Sequence, residues 1–154
     1  MNIFFVSLFG HREINDLWQL ENKLFPILKN LIRAKQFVTF FVGRHGDFDE
    51  YSASLVKRAQ KELGSENSCL TLVLPYTLAG LEYYEKYYDE VIIPIDTHPK
   101  YAITLKNRWA VEQSDLVITF VERKTGGAYE AMKYAEKLNK KIINLPVLND
   151  YNLE

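Results

Sequence analysis

The sequence predicts an α/β fold, a doubly wound and mainly parallel sheet flanked by helices, in one domain spanning residues 1–154. Three observations lead there. Short apolar runs alternate along the whole chain with amphipathic stretches of helical period. The runs are apolar throughout instead of at every second residue, which requires burial on both faces, as in a parallel sheet covered by helices. No linker-like stretch, internal repeat or low-complexity tract interrupts the alternation.

The expected strands are residues 3–9, 37–42, 69–74, 91–94, 116–121 and 141–145, most of them rich in Val, Ile and Phe. Between them, residues 15–33 carry Leu17, Leu20, Leu24, Leu28 and Leu31 at spacings of three and four, and residues 51–63 repeat the pattern with Leu55, Ala59 and Leu63. Residues 101–113 and 129–138 complete the expected helices, while 76–88 reads as irregular with a short helix around 81–88. Strict alternation of this kind implies right-handed crossovers, and ligands in such sheets sit at the carboxyl ends of the strands, near the point where strand order reverses.

Composition narrows the function classes. At 154 residues and 47% hydrophobic content the chain can bury one sizeable core. Nineteen basic residues against twenty acidic ones leave a net charge of -1, so no global field holds a nucleic-acid backbone; this argues against duplex DNA and leaves only a local patch. Cys69 is the sole cysteine, set in an apolar run, so it reads as a buried inert thiol and no internal disulfide can form. The cytoplasm is the expected setting. The run 3–9 lacks a basic flank and is followed by Arg12 and Glu13, so it reads as a strand and not a signal peptide, and no segment approaches the roughly 20 apolar residues of a membrane helix. His11, His45 and His98 are scattered, so neither a metal site nor a cofactor is implied.

The chemistry-bearing residues follow the strands. Thr125-Gly126-Gly127-Ala128-Tyr129-Glu130 places a glycine pair between an apolar run and a helix-like stretch. Adjacent glycines let backbone amides approach a ligand, and a helix start offers unpaired N–H groups and the positive dipole end; the alternative is a plain tight turn. After the first strand come Gly10, His11 and Arg12, where His11 is either a donor to phosphate or ribose or a solvated turn histidine. After the second come Gly43, Arg44, His45, Gly46, Asp47 and Asp49: Arg44 can pair with phosphate, and Asp47 or Asp49 can cap a helix or accept from a sugar hydroxyl. After the third, Tyr76 offers a face for stacking a base, or simple packing. On the helix at 101–113, Lys106 and Arg108 either reach over the sheet toward the glycine pair or, for Arg108 with Glu112, form a surface ion pair. The glycine spacing matches no dinucleotide fingerprint, no phosphate-loop lysine motif is present, and no serine sits in a nucleophile elbow.

Four blocks in order, Phe9-Gly10-His11-Arg12, Val42-Gly43-Arg44-His45-Gly46-Asp47-Phe48-Asp49, Lys106-Asn107-Arg108-Trp109 with Glu112-Gln113-Ser114-Asp115, and Thr125-Gly126-Gly127-Ala128, resemble the SLOG superfamily, and more closely its short bacterial and phage members related to YpsA. The resemblance implies a single Rossmann-like nucleotide-binding domain. Its relatives include the LOG phosphoribohydrolases, the DNA-processing protein DprA, and sensor domains for nucleotide-derived signals. In LOG enzymes the glycine pair is followed by Gly-Thr and then a catalytic glutamate; here Ala128 and Tyr129 follow, Glu130 falls about one helical turn early, and Lys133 stands in the glutamate's place. Lys106 likewise holds the place of the LOG arginine, with Arg108 two positions later.

The expectation is therefore a protein that binds a nucleotide or nucleotide-derived small molecule, with Gly126, Gly127 and the amides after them holding phosphate, Arg44 or Arg108 pairing with it, and Asp47 or Asp49 near a ribose. An alternative is an N-glycosidase or nucleoside deoxyribosyltransferase-type enzyme acting on a nucleoside monophosphate or NAD-like substrate, with Glu130 acting on the ribose and Arg108 orienting the phosphate. Single-stranded DNA binding as in DprA is the third reading, and a homo-oligomer is compatible with the sequence.

Overall fold

The computed structural model of the chain describes residues 2–148. Met1 and residues 149–154 of the expected domain lie outside the described residues. Six strands form one parallel sheet: β1 (Ile3–Gly10), β2 (Phe37–Val42), β3 (Ser68–Val73), β4 (Glu90–Ile92), β5 (Leu116–Phe120) and β6 (Lys141–Asn144). They lie in the order β4-β3-β2-β1-β5-β6. Val6 of β1 is in register with Phe40 of β2 on one side and Leu116 of β5 on the other. The chain thus runs outward from β1 in one direction, returns, and runs outward in the other, and a crevice opens where the loops after β1 and β5 part. The architecture is Rossmann-like, as the sequence led one to expect.

Five helices connect the strands: α1 (Leu17–Ala34), α2 (Asp47–Leu63), α3 (Leu81–Tyr87), α4 (Pro99–Gln113) and α5 (Gly127–Lys137). Alternation within the strands sorts side chains between two layers. Val6, Leu8, Val38, Phe40, Leu70 and Ile118 pack with Leu20, Leu24 and Leu28 of α1 and Phe48, Leu55 and Val56 of α2. On the other face, Phe9, Phe41, Val73 and Val117 meet Trp109, Ala110 and Val111 of α4 and Ala131 and Ala135 of α5. The small residues of that second layer let α4 and α5 lie close on the sheet.

Helix boundaries depart from the periodic pattern for identifiable reasons. Asp16 Oδ1 accepts from the Gln19 amide at 2.9 Å and starts α1 at Leu17. α2 begins at Asp47, four residues before the first expected helical position, because its first turn is acidic and complements the helix dipole while Phe48 is already fully buried. The C-terminal end of α4 is pinned to β1. Ser7 and Ser114 hydroxyls lie 2.6 Å apart and both donate to the Ala110 carbonyl, while Asp115 Oδ2 accepts from the Phe5 amide at 2.9 Å. With that end fixed, Lys106 and Asn107, two turns earlier, are held over the carboxyl end of the sheet.

Candidate functional site

A cleft of about 450 Å³ opens at the carboxyl ends of β1, β2 and β3, beneath α4 and the start of α5. It brings together Gly10, His11, Arg12, Gly43, Arg44, Asp49, Tyr76, Lys106, Gly126, Gly127 and Ala128 of the residues read from the sequence. Among the described residues, its charged lining consists of the cationic Arg12, Arg44, Lys106 and Arg123 and a single carboxylate, Asp49. A chain with no net basic character therefore concentrates positive charge at one place.

The α5 N-terminus supplies donors to this cleft. Its N-cap, Gly126, has φ +95° and ψ 170°, a conformation open essentially to glycine alone, and no side chain caps the helix. The first helical bond runs from the Glu130 amide to the Gly126 carbonyl at 3.0 Å. Among the described residues, the amides of Gly127, Ala128 and Tyr129 have no hydrogen-bond partner. A Cβ built on Gly127 would find only Asn107 Nδ2, 3.9 Å away, and one on Gly126 nothing within 4 Å, so the space above these amides is open.

Two side chains hold the approach to that turn. Asn144, at the end of β6, accepts from the Val121 amide at 2.9 Å and returns a bond to the Val121 carbonyl at 3.0 Å. His11 Nε2 accepts from the Glu122 amide at 2.9 Å. His11 is therefore a buried neutral imidazole and not a solvated turn histidine. Burial, with the neighbouring Arg123 charge, lowers its pKa below the ordinary value, consistent with that acceptor role.

The other end of the cleft is formed by Gly43, Asp49 and Lys106. A Cβ on Gly43 would stand 3.1 Å from Asp49 Oδ2 and 3.4 Å from Lys106 Nζ. Burial pushes the Asp49 carboxyl up to about 7, against the opposing pull of Lys106 and of a hydrogen bond from the His45 backbone. Burial likewise lowers the Lys106 pKa, with Asp49 acting in the opposite sense. Arg44 is braced by its neighbours: Nη2 lies 2.8 Å from His45 Nε2 and Nη1 3.4 Å from the Tyr84 hydroxyl.

The structure leaves several sequence-derived residues outside the cleft lining. Asp47 does not cap α2 through its side chain; Oδ2 accepts from the Ile14 amide at 2.9 Å, and its own amide donates to the Arg12 carbonyl at 2.7 Å, so it ties the β1–α1 loop to α2. Gly46, with φ +110°, caps α2 because a Cβ there would run into the Arg12 backbone. Gly10 does line the cleft, yet a Cβ on it would overlap the Phe48 ring, which makes it a packing glycine. Arg108 is exposed, its guanidinium 5.1 Å from the centre of the Tyr134 ring, and Glu112 accepts from the Tyr134 hydroxyl, so Tyr134 takes the place of the expected Arg108–Glu112 ion pair. Thr125 and Glu130 are exposed and are not part of the lining.

Asn107, His45 and Arg123 line the cleft without having been picked out as site residues. Helical geometry held the signal for Asn107: Ile103, Lys106 and Asn107 are spaced i, i+3, i+4 and share one face of α4, whereas Arg108 belongs to the opposite face with Glu112. The Asn107 Oδ1 is buried and has no partner.

Comparison with known proteins bears on the fold. No family model matches the chain, and no curated protein matches it. Among solved structures, DNA processing protein A from Streptococcus pneumoniae superposes with a TM-score of 0.66 at 12% identity, covering 91% of this chain and 49% of that one. The chain shares the fold of that protein. DNA processing protein A from Helicobacter pylori, described for its single-stranded DNA binding mode, gives a TM-score of 0.61 at 14% identity over 90% of this chain and 63% of that one. The chain thus spans about half to just under two thirds of the length of these structures. Among the described residues no helix is long and apolar enough to cross a membrane.

Proposed function

We propose that this chain binds a nucleotide or nucleotide-derived phosphorylated small molecule in the cleft between α5, β2 and α4. One observation carries the reading: an uncapped helix N-terminus with three unpartnered amides lies, through Gly126, Gly127 and Ala128, on a cleft that also holds Lys106, Arg12, Arg44 and Arg123. Unpaired amides at a helix start bind anions, and the concentration of cations around them selects for a multiply charged one such as a phosphate. The volume suits a small molecule, since such sites measure roughly 300 to 1,000 Å³, and Tyr76 at the rim is exposed and offers an aromatic face for a base. A kinship to YpsA- and LOG-type members of the SLOG superfamily belongs to the same proposal.

The DprA-related fold favours a second reading, single-stranded DNA bound along the same cationic cleft. The N-glycosidase reading draws less support, because Glu130 and Arg108 stand outside the cleft lining. Isothermal titration separates these. Nucleoside 5′-monophosphates are expected to bind one per chain, and the matching nucleosides at least about tenfold more weakly for loss of the charge-assisted contacts. A labelled oligodeoxythymidylate that bound with length-dependent affinity while monophosphates did not bind would favour the DNA reading instead. Native mass measurement of the purified protein adds an independent check through any retained nucleotide.

A further inference from the structure

Between β5 and α5 two side chains tether the backbone. Asn144 clamps Val121 through both its amide and its carbonyl, and His11 Nε2 accepts from the amide of the next residue, Glu122, at 2.9 Å. Among the described residues, Arg123, Lys124 and Thr125 make no backbone hydrogen bond, and the next fixed point is the Gly126 carbonyl, which accepts from Glu130. His11 is thus the last tether before Arg123 and the open amides of α5. That tether has a chemical condition. An imidazole accepts through Nε2 only when neutral, with its proton on Nδ1. A second proton goes to Nε2 itself and sets one N–H against another, so the bond to Glu122 cannot survive it. The ring is 5% exposed, so the charged form must move to reach water or an acceptor.

We infer that His11 is a positioning residue for the phosphate site, and that a proton taken up at its Nε2 releases Glu122, frees the turn carrying Arg123 and weakens anion binding at α5. The inference rests on the phosphate-site reading above and adds its regulation. Burial and Arg123 keep the imidazole neutral, burial the more strongly, while Glu122 favours the charged form. Of the groups that share the cleft, Arg12, Arg44, Lys106 and a protonated His45 also oppose a charged His11, and an ionised Asp49 favours it. The sign of the effect is distinctive. A histidine that merely contributed charge would tighten anion binding on protonation, whereas a tether that breaks loosens it. By linkage, a bound anion then makes His11 harder to protonate.

The test is an amide-resolved titration of the whole ¹⁵N-labelled chain with sulfate from about pH 7.5 to about pH 5, on the parent and on His11→Gln. Sulfate stays doubly charged over this range, whereas a phosphomonoester takes up a proton at about pH 6. Gln places a carbonyl oxygen where Nε2 stands and does not titrate. The variant is expected to bind sulfate more tightly toward acid, as His45 and Asp49 gain protons. The parent is expected to fall behind, so that the ratio of parent to variant affinity drops about fivefold or more across the range. Its Glu122 and Gly127 amide resonances should also follow the imidazole titration without sulfate. A ratio constant to within about twofold overturns the inference and leaves the anion site standing. If the variant does not fold, the parent decides alone, and Glu122 and Gly127 amides that ignore the imidazole titration overturn it. Sulfate that leaves Gly127, Ala128 and Tyr129 unmoved at every pH removes the phosphate site, and this inference with it.

Discussion

Asp49 and Lys106 converge on Gly43, Oδ2 at 3.1 Å and Nζ at 3.4 Å from where a Cβ would stand, and no ion pair joins them. Each is desolvated by the protein around it and only partly compensated by the other. A half-buried carboxylate and ammonium that stop short of an ion pair cost stability and keep hydrogen-bonding capacity in hand, which supports the proposed site over a structural brace.

That cost is measurable. The Asp49 carboxyl titrates at about 7 in the folded chain against an ordinary value of 3.8, so the native state holds a proton over a range where the unfolded state has released it. Stability therefore falls as pH rises from about 4 to about 7 and stays reduced above. Asp49→Asn removes the penalty. The variant is expected to match the parent near pH 4.5 and to exceed it at pH 8 by on the order of 2 kcal/mol, less than the full shift implies because the cleft is partly open to water. Urea denaturation at the two pH values checks this, and an Asn variant no more stable than the parent at pH 8 would show a solvated carboxylate.

Lys106 and Arg108 make a matched pair for binding. Lys106 faces the cleft, whereas Arg108 lies over Tyr134 on the outer surface. Lys106→Met is expected to weaken nucleoside monophosphate binding by roughly ten- to a hundredfold, the range of one hydrogen bond to a charged group. Arg108→Met should leave affinity within about twofold. Titration calorimetry on both variants decides it, and equal losses would move the phosphate to the α4–α5 surface.

The glycines separate three physical roles. Gly10→Ala overpacks Phe48 and is expected to lower stability by about 1 to 3 kcal/mol. Gly126→Ala meets no neighbour but strains a backbone at φ +95°, at a similar cost of about 1 to 3 kcal/mol. Gly127→Val carries neither burden, since its Cβ points into open space 3.9 Å from Asn107 Nδ2. Its stability should stay within about 1 kcal/mol of the parent while the side chain over the α5 amides lowers phosphate affinity at least about thirtyfold. Thermal melts and titrations of the three variants together test the assignment.

The sheet was legible because continuous apolar runs such as 37–42 and 116–121 have few ways to be buried other than between two helical layers, and all six expected strands pair in parallel. The strand-end loops were legible as a cleft because the topology gathers them. Individual roles were harder. Asp47 and Asp49 look alike in sequence, yet α2 starts early enough to turn one toward Ile14 and the other into the cleft. His11 reads as solvated until β5 extends beneath it and offers the Glu122 amide. Asn107 falls in the Lys106-Asn107-Arg108-Trp109 block, yet only its face of α4 sets it apart from its neighbours there, and its unpartnered oxygen is visible in the folded chain alone.

The most direct measurement is an amide-resolved nuclear magnetic resonance titration of the ¹⁵N-labelled chain with a nucleoside 5′-monophosphate. The open amides of α5 define the proposed phosphate site, so the largest shifts are expected at Gly127, Ala128 and Tyr129, with further shifts at Gly43 and in the side-chain amide of Asn107. Saturable shifts confined to other elements, with these amides unmoved, would contradict the account.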